Sequence, residues 1–324
     1  MHRNRIRKGL LRIAAVCTGV IIACGSMLST EAISPSAPFP IAWQQSEEAG
    51  ADIQRSLYLP EQESWCNYPW NRGSETGNSV GLAGCSLLSV INSVYYKTGQ
   101  FLNPVILAEF ALEKGYRTAG VEGVVVTFFP GFAETFGDSC GASFLTGTSD
   151  AERVLEHVRS GGTSCSNVYG HWIAIVDYDA ENDLYLILDS SNTSKRCANI
   201  TWTDLENGVA WLTPEELLEK GKSGYYGINE RYSALFAFEY TFSADTGDAN
   251  GNGAVDLHDA NAALTYYAGT AADLTNNTLH PHPAQNEVCL TAADVNTDSE
   301  ITVDDASGIL EYYANAAAGF TPEW

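Results

Sequence analysis

The sequence predicts an α+β protein carrying a separate, small all-α module at its C-terminal end. Three observations lead there. Helical periodicity fills the first half of the central region, short β-branched and aromatic runs follow it, and a polar loop leading into a helix then occurs twice. At 324 residues the chain can form more than one core, and its 45% hydrophobic and 11% aromatic residues are an ordinary globular composition.

The N-terminal residues stand apart from both regions. Arg3, Arg5, Arg7, Lys8 and Arg12 precede an apolar run from Ile13 to Ala23, and small residues then lead to Ala32. A basic head, an apolar stretch too short to span a membrane and a small-residue exit predict a secretory signal over residues 1–32. Thr30-Glu31-Ala32 suits ordinary signal cleavage, while Ile21-Ile22-Ala23-Cys24 suits a lipoprotein signal that would lipidate Cys24. Release from the membrane is the expectation, giving a secreted, extracellular protein. Removing these residues takes away five basic side chains and one acidic one, so the formal net charge moves from −23 to −27. Such acidity argues against nucleic acid and anionic membrane as partners. Of the eight cysteines, Cys66, Cys85, Cys140, Cys165, Cys197 and Cys289 remain, spaced too widely for a small disulfide framework.

Residues 33–57 are a lead-in linker rich in Ser, Pro, Ala and Glu, and residues 58–242 a globular domain. Cys85 to Tyr96 has apolar residues recurring at three and four, which predicts a helix. Asn103-Pro104 opens a second helix, Val105 to Lys114, and Asp150 caps a third, Ala151 to Arg159. Trp172 to Val176 and Leu184 to Leu188 flank the turn Asp179 to Asp183 and predict a hairpin, with a further strand at Ala234 to Tyr240.

After a linker at 243–247, residues 248–324 hold the duplication. Oxygen-bearing side chains recur at loop positions 1, 3, 5, 9 and 12: Asp248, Asn250, Asn252, Asp256 and Asp259, then Asp294, Asn296, Asp298, Thr302 and Asp305. Calcium takes six to eight oxygen ligands, and EF-hand loops supply them at this spacing. Val255 and Ile301 occupy position 8 of each loop, where they can pair back to back. Both following helices run to Tyr-Tyr-Ala. No amphipathic helix is evident entering either loop. The intervening stretch from Gly269 to Thr291, with His280-Pro281-His282-Pro283, reads as a solvent-exposed insertion, a transition-metal site being the alternative.

This region resembles the type I dockerin. That resemblance implies two bound calcium ions, attachment to a cohesin domain of a cellulosomal scaffold, and a cohesin-facing surface at positions 10 and 11 of each loop. Here those positions are Leu257-His258 and Val303-Asp304, and since the pairs differ the two halves are not expected to be interchangeable.

In the larger domain Gly84-Cys85 stands where a loop meets a helix, a place that lowers a thiol pKa and supplies N–H groups to a developing oxyanion. A nucleophilic cysteine needs a base held by a third polar group. His157 lies within the third helix and reads as a surface residue. His171 opens a strand whose partner strand ends at Asp189, so the hairpin can set the two side by side.

Together with Gln62-Glu-Ser-Trp65 and Asn67-Tyr-Pro-Trp70, the segments Gly84-Cys85-Ser86, Gly170-His171-Trp172 and Leu188-Asp189-Ser190 resemble the C39-like group of papain-fold cysteine peptidases. The resemblance implies a papain-like α+β domain in which Cys85 is the nucleophile, His171 the general base and acid, and Asp189 the orienting residue. Gln62 would help to stabilise the oxyanion, with Asn78 as the alternative. Ser86-Leu87 departs from the Gly and Pro common in that group. A catalytically silent binding module and a transglutaminase-like acyl transferase are the competing readings. Cys165 and Cys197 flank the His/Asp hairpin and form either a disulfide or two free thiols.

Overall fold

The computed structural model describes residues 65–71, 78–100, 102–118, 123–168, 170–190, 208–218, 227–228, 232–274, 277–280 and 282–324. The predicted signal, the lead-in linker, Gln62 and Cys197 lie outside them. The described chain opens with a 3-10 turn at Trp65–Asn67 and the helices α1 (Val80–Ala83), α2 (Cys85–Thr98), α3 (Pro104–Glu113) and α4 (Phe128–Cys140). Then come β1 (Ala142–Thr148), α5 (Ala151–Arg159), β2 (Thr163–Val168), β3 (His171–Asp179), β4 (Leu184–Leu188), β5 (Val209–Leu212), α6 (Pro214–Leu218) and β6 (Ser233–Phe238). The C-terminal module contributes α7 (Leu257–Ala271), α8 (Pro283–Ala293) and α9 (Val303–Ala317).

The six strands form one sheet in the order β1-β6-β2-β3-β4-β5, and every neighbouring pair is antiparallel. Side chains alternate across it, and both faces are covered. Trp172, Ala234 and Phe236 join the cluster built on α2, α3 and α4, while Ile173, Ile175, Ile187 and Leu235 join Val154, Leu155 and Val158 of α5. Coverage on both sides explains why β3 and β4 read as nearly continuous apolar runs instead of alternating ones.

Helix α2 is the axis of the larger domain. Leu87, Leu88, Ile91, Val94 and Tyr95 are fully buried along it, as are Asn92 and Thr98. Tyr96, near its end, donates its hydroxyl hydrogen to Asp177 Oδ2 and so ties α2 to β3. Four phenylalanines complete the packing behind it: Phe129, Phe132 and Phe144 each set a ring against Phe236, at centroid distances of 6.5, 6.2 and 5.8 Å.

Several elements depart from the sequence reading. Helices α1, α4 and α6, and strands β1, β2 and β5, are additional. The sequence of α4, FFPGFAETFGDSC, hides its helix behind Pro130 and two glycines. Pro130 falls in the first turn, where its missing N–H is not needed. His157 is half-buried, not a surface residue, because its Nε2 lies 2.8 Å from Phe236 O. Cys165 is a free thiol, buried completely and 3.6 Å from Ser93 Oγ, so the disulfide alternative is corrected.

The 269–291 stretch is corrected as well. It is not a solvent-exposed insertion: His280 and His282 are buried, and α8 enters the second loop as a third helix of the module. Its inward residues include Cys289, Ala292 and Ala293. Such small side chains give little apolar contrast with the rest of the helix, which is why no amphipathic pattern was visible.

The packing predicts that Phe236→Ala will lower unfolding stability by about 3–5 kcal/mol in urea titrations, as large aromatic truncations do. Leu145→Ala, at a residue 54% exposed on β1, is expected to stay within about 0.5 kcal/mol.

Candidate active site

Local chain geometry builds the site from three directions. Asn67–Trp70 runs beside the chain just ahead of the cysteine: Trp70 N donates to Asn78 O at 3.0 Å and Val80 N to Tyr68 O at 3.1 Å. Trp70 is fully buried, donates Nε1–H to Ala108 O at 3.0 Å, and carries the Arg117 guanidinium 4.1 Å above its ring. Arg117 also donates to Gly123 O at 2.7 Å, which holds the 123 backbone near Ser86 and Ala83. Asn78, the alternative oxyanion residue, is thereby fixed by its backbone two turns before Cys85. Gln62 lies outside the described residues.

Helix α1 ends at Gly84, which is at once its C-cap and the N-cap of α2. Cys85 is therefore the first residue of α2, and no side chain caps the helix there. An uncapped helix start carries partial positive charge and directs its amides at whatever sits beside it. Cys85 is half-buried, in contrast to the enclosed thiols elsewhere. Burial pushes Cys140 up to about 11, and Cys165 and Cys289 up to about 12, so those thiols stay protonated at neutral pH.

Strand β3 supplies the second group. Gly170 turns the chain with φ +71°, a left-handed conformation that glycine adopts at no steric cost, and His171 then opens the strand opposite Val168. Asp189 follows the last residue of β4, its own N–H bonded to Gly208 O at 3.0 Å. His171 Nε2 meets Asp189 Oδ1 at 2.6 Å, with His171 4% exposed and Asp189 not exposed at all. His171 also hydrogen-bonds the Cys85 side chain. Burial by itself would lower the imidazole pKa, but the adjacent Asp189 carboxylate and the Cys85 sulfur outweigh it and raise His171 to about 9. Cys85, His171 and Asp189 are thus brought together as one hydrogen-bonded series.

In the C-terminal module the two loops share most of their hydrogen bonds. Asp248 accepts from Asn252 N and Gly253 N at 3.0 and 2.8 Å, and Asp294 accepts from Asp298 N and Ser299 N at 3.1 and 2.9 Å. Asp259 accepts from Asn250 N and Asp256 N, and Asp305 from Asn296 N and Thr302 N. Asp256 and Thr302 cap α7 and α9, each in a capping box with the acid three residues on. Val255 and Ile301 pack on a shared core of Ala260, Ala263, Ala306 and Ile309.

The loops can be tested against calcium on their own charges. Asp248 and Asp259 are buried, and burial raises both carboxyls, Asp259 to about 6. Their oxygens accept backbone N–H bonds, and among the described residues no Lys or Arg forms an ion pair with them. Buried carboxylates with so little compensating charge fit a hard, oxygen-seeking cation. Among the described residues no three His, Cys, Asp or Glu side chains converge on one point. Leu257, His258, Val303 and Asp304 are all exposed at the starts of α7 and α9.

Comparison with known protein families, with curated proteins and with solved structures finds no match to this chain.

Two outcomes follow. His171→Ala strands the buried Asp189 carboxylate and is expected to cost about 3–5 kcal/mol of stability near pH 6. With a folded pKa raised from 6.5, the stabilisation from charging His171 is full below about 6.5 and lost as pH rises through about 9. The melting-temperature gap between wild type and His171→Ala should therefore narrow by pH 10. In the second loop Thr297 and Ser299 hold φ values of +60° and +72°, where the first loop has Gly251 and Gly253. Thr297→Gly and Ser299→Gly should each raise the calcium-free module's stability by about 1 kcal/mol in thermal melts.

Proposed function

We propose that this chain is a secreted cysteine peptidase of C39-like, papain-fold type, attached through its C-terminal calcium module to a cohesin-bearing scaffold in the manner of a type I dockerin. The observation that carries the first half is the series Cys85–His171–Asp189, buried at its base and open at the half-buried thiol. The second half rests on the shared hydrogen-bond pattern of two acidic loops, each leading into a matched helix.

The chemistry follows from the positions of these groups. The Cys85 thiolate, paired with protonated His171, attacks the carbonyl carbon of a peptide bond. A sulfur–carbon bond forms, and the carbonyl oxygen takes up negative charge beside the start of α2. The carbon–nitrogen bond then breaks as His171 gives its proton to the leaving amine. Water next attacks the thioester carbon, His171 takes one proton from it, and the sulfur leaves as thiolate. Asp189 keeps the ring oriented and its charge balanced throughout. In the module, Asp248, Asn250, Asn252, Asp256 and Asp259 would hold one calcium ion, and Asp294, Asn296, Asp298, Thr302 and Asp305 the other. Each ion would supply local positive charge to its loop. Leu257, His258, Val303 and Asp304 form the surface offered to the cohesin.

The test is alkylation of each cysteine by iodoacetamide across pH, resolved by peptide mass spectrometry. Cys85 should label fastest at pH 6, with the advantage lost in His171→Ala, while Cys140, Cys165 and Cys289 label slowly. Peptide hydrolysis should decline as pH rises through about 9, where His171 loses its proton. A slow Cys85 with an ordinary thiol pKa of about 8.5 would point instead to a silent binding module. Preferential acyl transfer to an added amine would identify an acyl transferase. Cohesin capture by the module should disappear on adding EDTA, and capture that survives chelation sinks the dockerin reading.

A further inference from the structure

The histidine pair of the 269–291 stretch is absorbed by neither the thiol site nor the calcium loops, yet it sits at the seam between them. His282 Nε2 lies 2.8 Å from Tyr96 O, a carbonyl in the last turn of α2. The final four carbonyls of a helix have no partner within it, so an N–H arriving from elsewhere closes the helix end. His280 Nδ1 accepts from His282 N at 3.0 Å, which fixes the pair relative to one another. The ring of Phe242 lies 4.9 Å from that of His282, and close by, within the larger domain, Gln100 Nε2 donates to Tyr240 Oη at 2.6 Å.

The contact continues into the first loop. Gly99 ends α2 with φ +69°, and a Cβ there would stand 2.1 Å from Gln285 Oε1 and 3.1 Å from a carbon of His280. Glycine suits this position by its left-handed φ, and Gln285 and His280 pack directly against it. Gln285 Nε2 in turn donates to Gly251 O at 3.2 Å, and Gly251 is position 4 of the first acidic loop. A path thus runs from that loop through Gln285 to Gly99 at the end of α2, and His280 and His282 reach the same turn at Gly99 and Tyr96 O; the first residue of that helix is Cys85. In the second loop the corresponding Asn296, Asp298 and Ser299 are exposed.

We propose that His282 and Gln285 are positioning residues that couple calcium occupancy of the first loop to the helix carrying Cys85. This inference rests on the calcium reading given above, but on neither peptidase activity nor cohesin docking. Coupling needs an element whose state both sites bias, and the C-terminal turn of α2 is that element. With the loop closed on its ion, Gly251 O is fixed, Gln285 is held against Gly99, and His282 stays on Tyr96 O. When the ion leaves, the loop carboxylates repel one another, Gly251 shifts, and the turn loses its outside donor.

Hydrogen exchange of the full chain, with calcium alone as the probe and EGTA as the reference, tests this without any substrate. Calcium should slow exchange in residues 248–259 and, by at least about fivefold, in residues 94–99. In Gln285→Leu and His282→Ala the protection of 248–259 should persist while that of 94–99 is lost. His282→Gln, which keeps a donor, should restore part of it. Protection of 248–259 with none at 94–99 in the wild type overturns the coupling and leaves the calcium reading standing. Protection at neither place overturns both.

Discussion

Helix α2 must lie across β3, and almost everything else in the larger domain follows from that crossing. The two elements meet through Trp172, Ala174 and Val176 on the strand and the buried stripe of α2, and the Tyr96–Asp177 hydrogen bond pins the far end. Once the helix is set against the strand, its first residue and the strand's first residue arrive at the same edge. Those residues are Cys85 and His171. The hairpin then brings Asp189 to the imidazole from the next strand, because β3 and β4 pair with Ala174 opposite Leu188. Three side chains distant in sequence therefore need no dedicated loop to converge.

The crossing also explains the electrostatics. Asp189 has no exposed surface and His171 almost none, so neither can rely on water for its charge. A carboxylate in that position stabilises a charged imidazole strongly enough to overcome the penalty of burying it, which is why His171 is raised and not lowered. The half-buried sulfur is the one member of the series that faces outward.

Much of this was legible in the sequence, for identifiable reasons. The start of α2 showed as Gly-Cys before an apolar repeat, α5 as an Asp cap before an amphipathic turn, and the β3–β4 hairpin as two β-branched runs about a polar turn. What stayed hidden had weak local contrast. Helix α4 carries Pro130, Gly131 and Gly137, and strand β2, Thr-Ser-Cys-Ser-Asn-Val, buries hydroxyls in place of aliphatic side chains. Ser164, Ser166 and Ser233 satisfy one another inside the sheet, a long-range pairing that no window of sequence reveals. Cys85, His171 and Asp189 could be nominated because each lies at the end of an element. The Tyr96–Asp177 clamp, spanning α2 and β3, carried no local mark at all.

The histidine insertion shows why exposure is the harder inference. A stretch with two histidines, two prolines and several polar residues has the composition of a surface loop, and composition weighs only what a segment contains. It does not weigh what the segment meets. Here Tyr96 O, in the last turn of a buried helix, accepts from His282, and Gln285 and His280 pack against Gly99 at the helix end. The polar residues of the insertion make those contacts, so polarity is the reason for their burial and not an argument against it. An obligation of this kind belongs to the helix terminus, and it is met from nearly two hundred residues away.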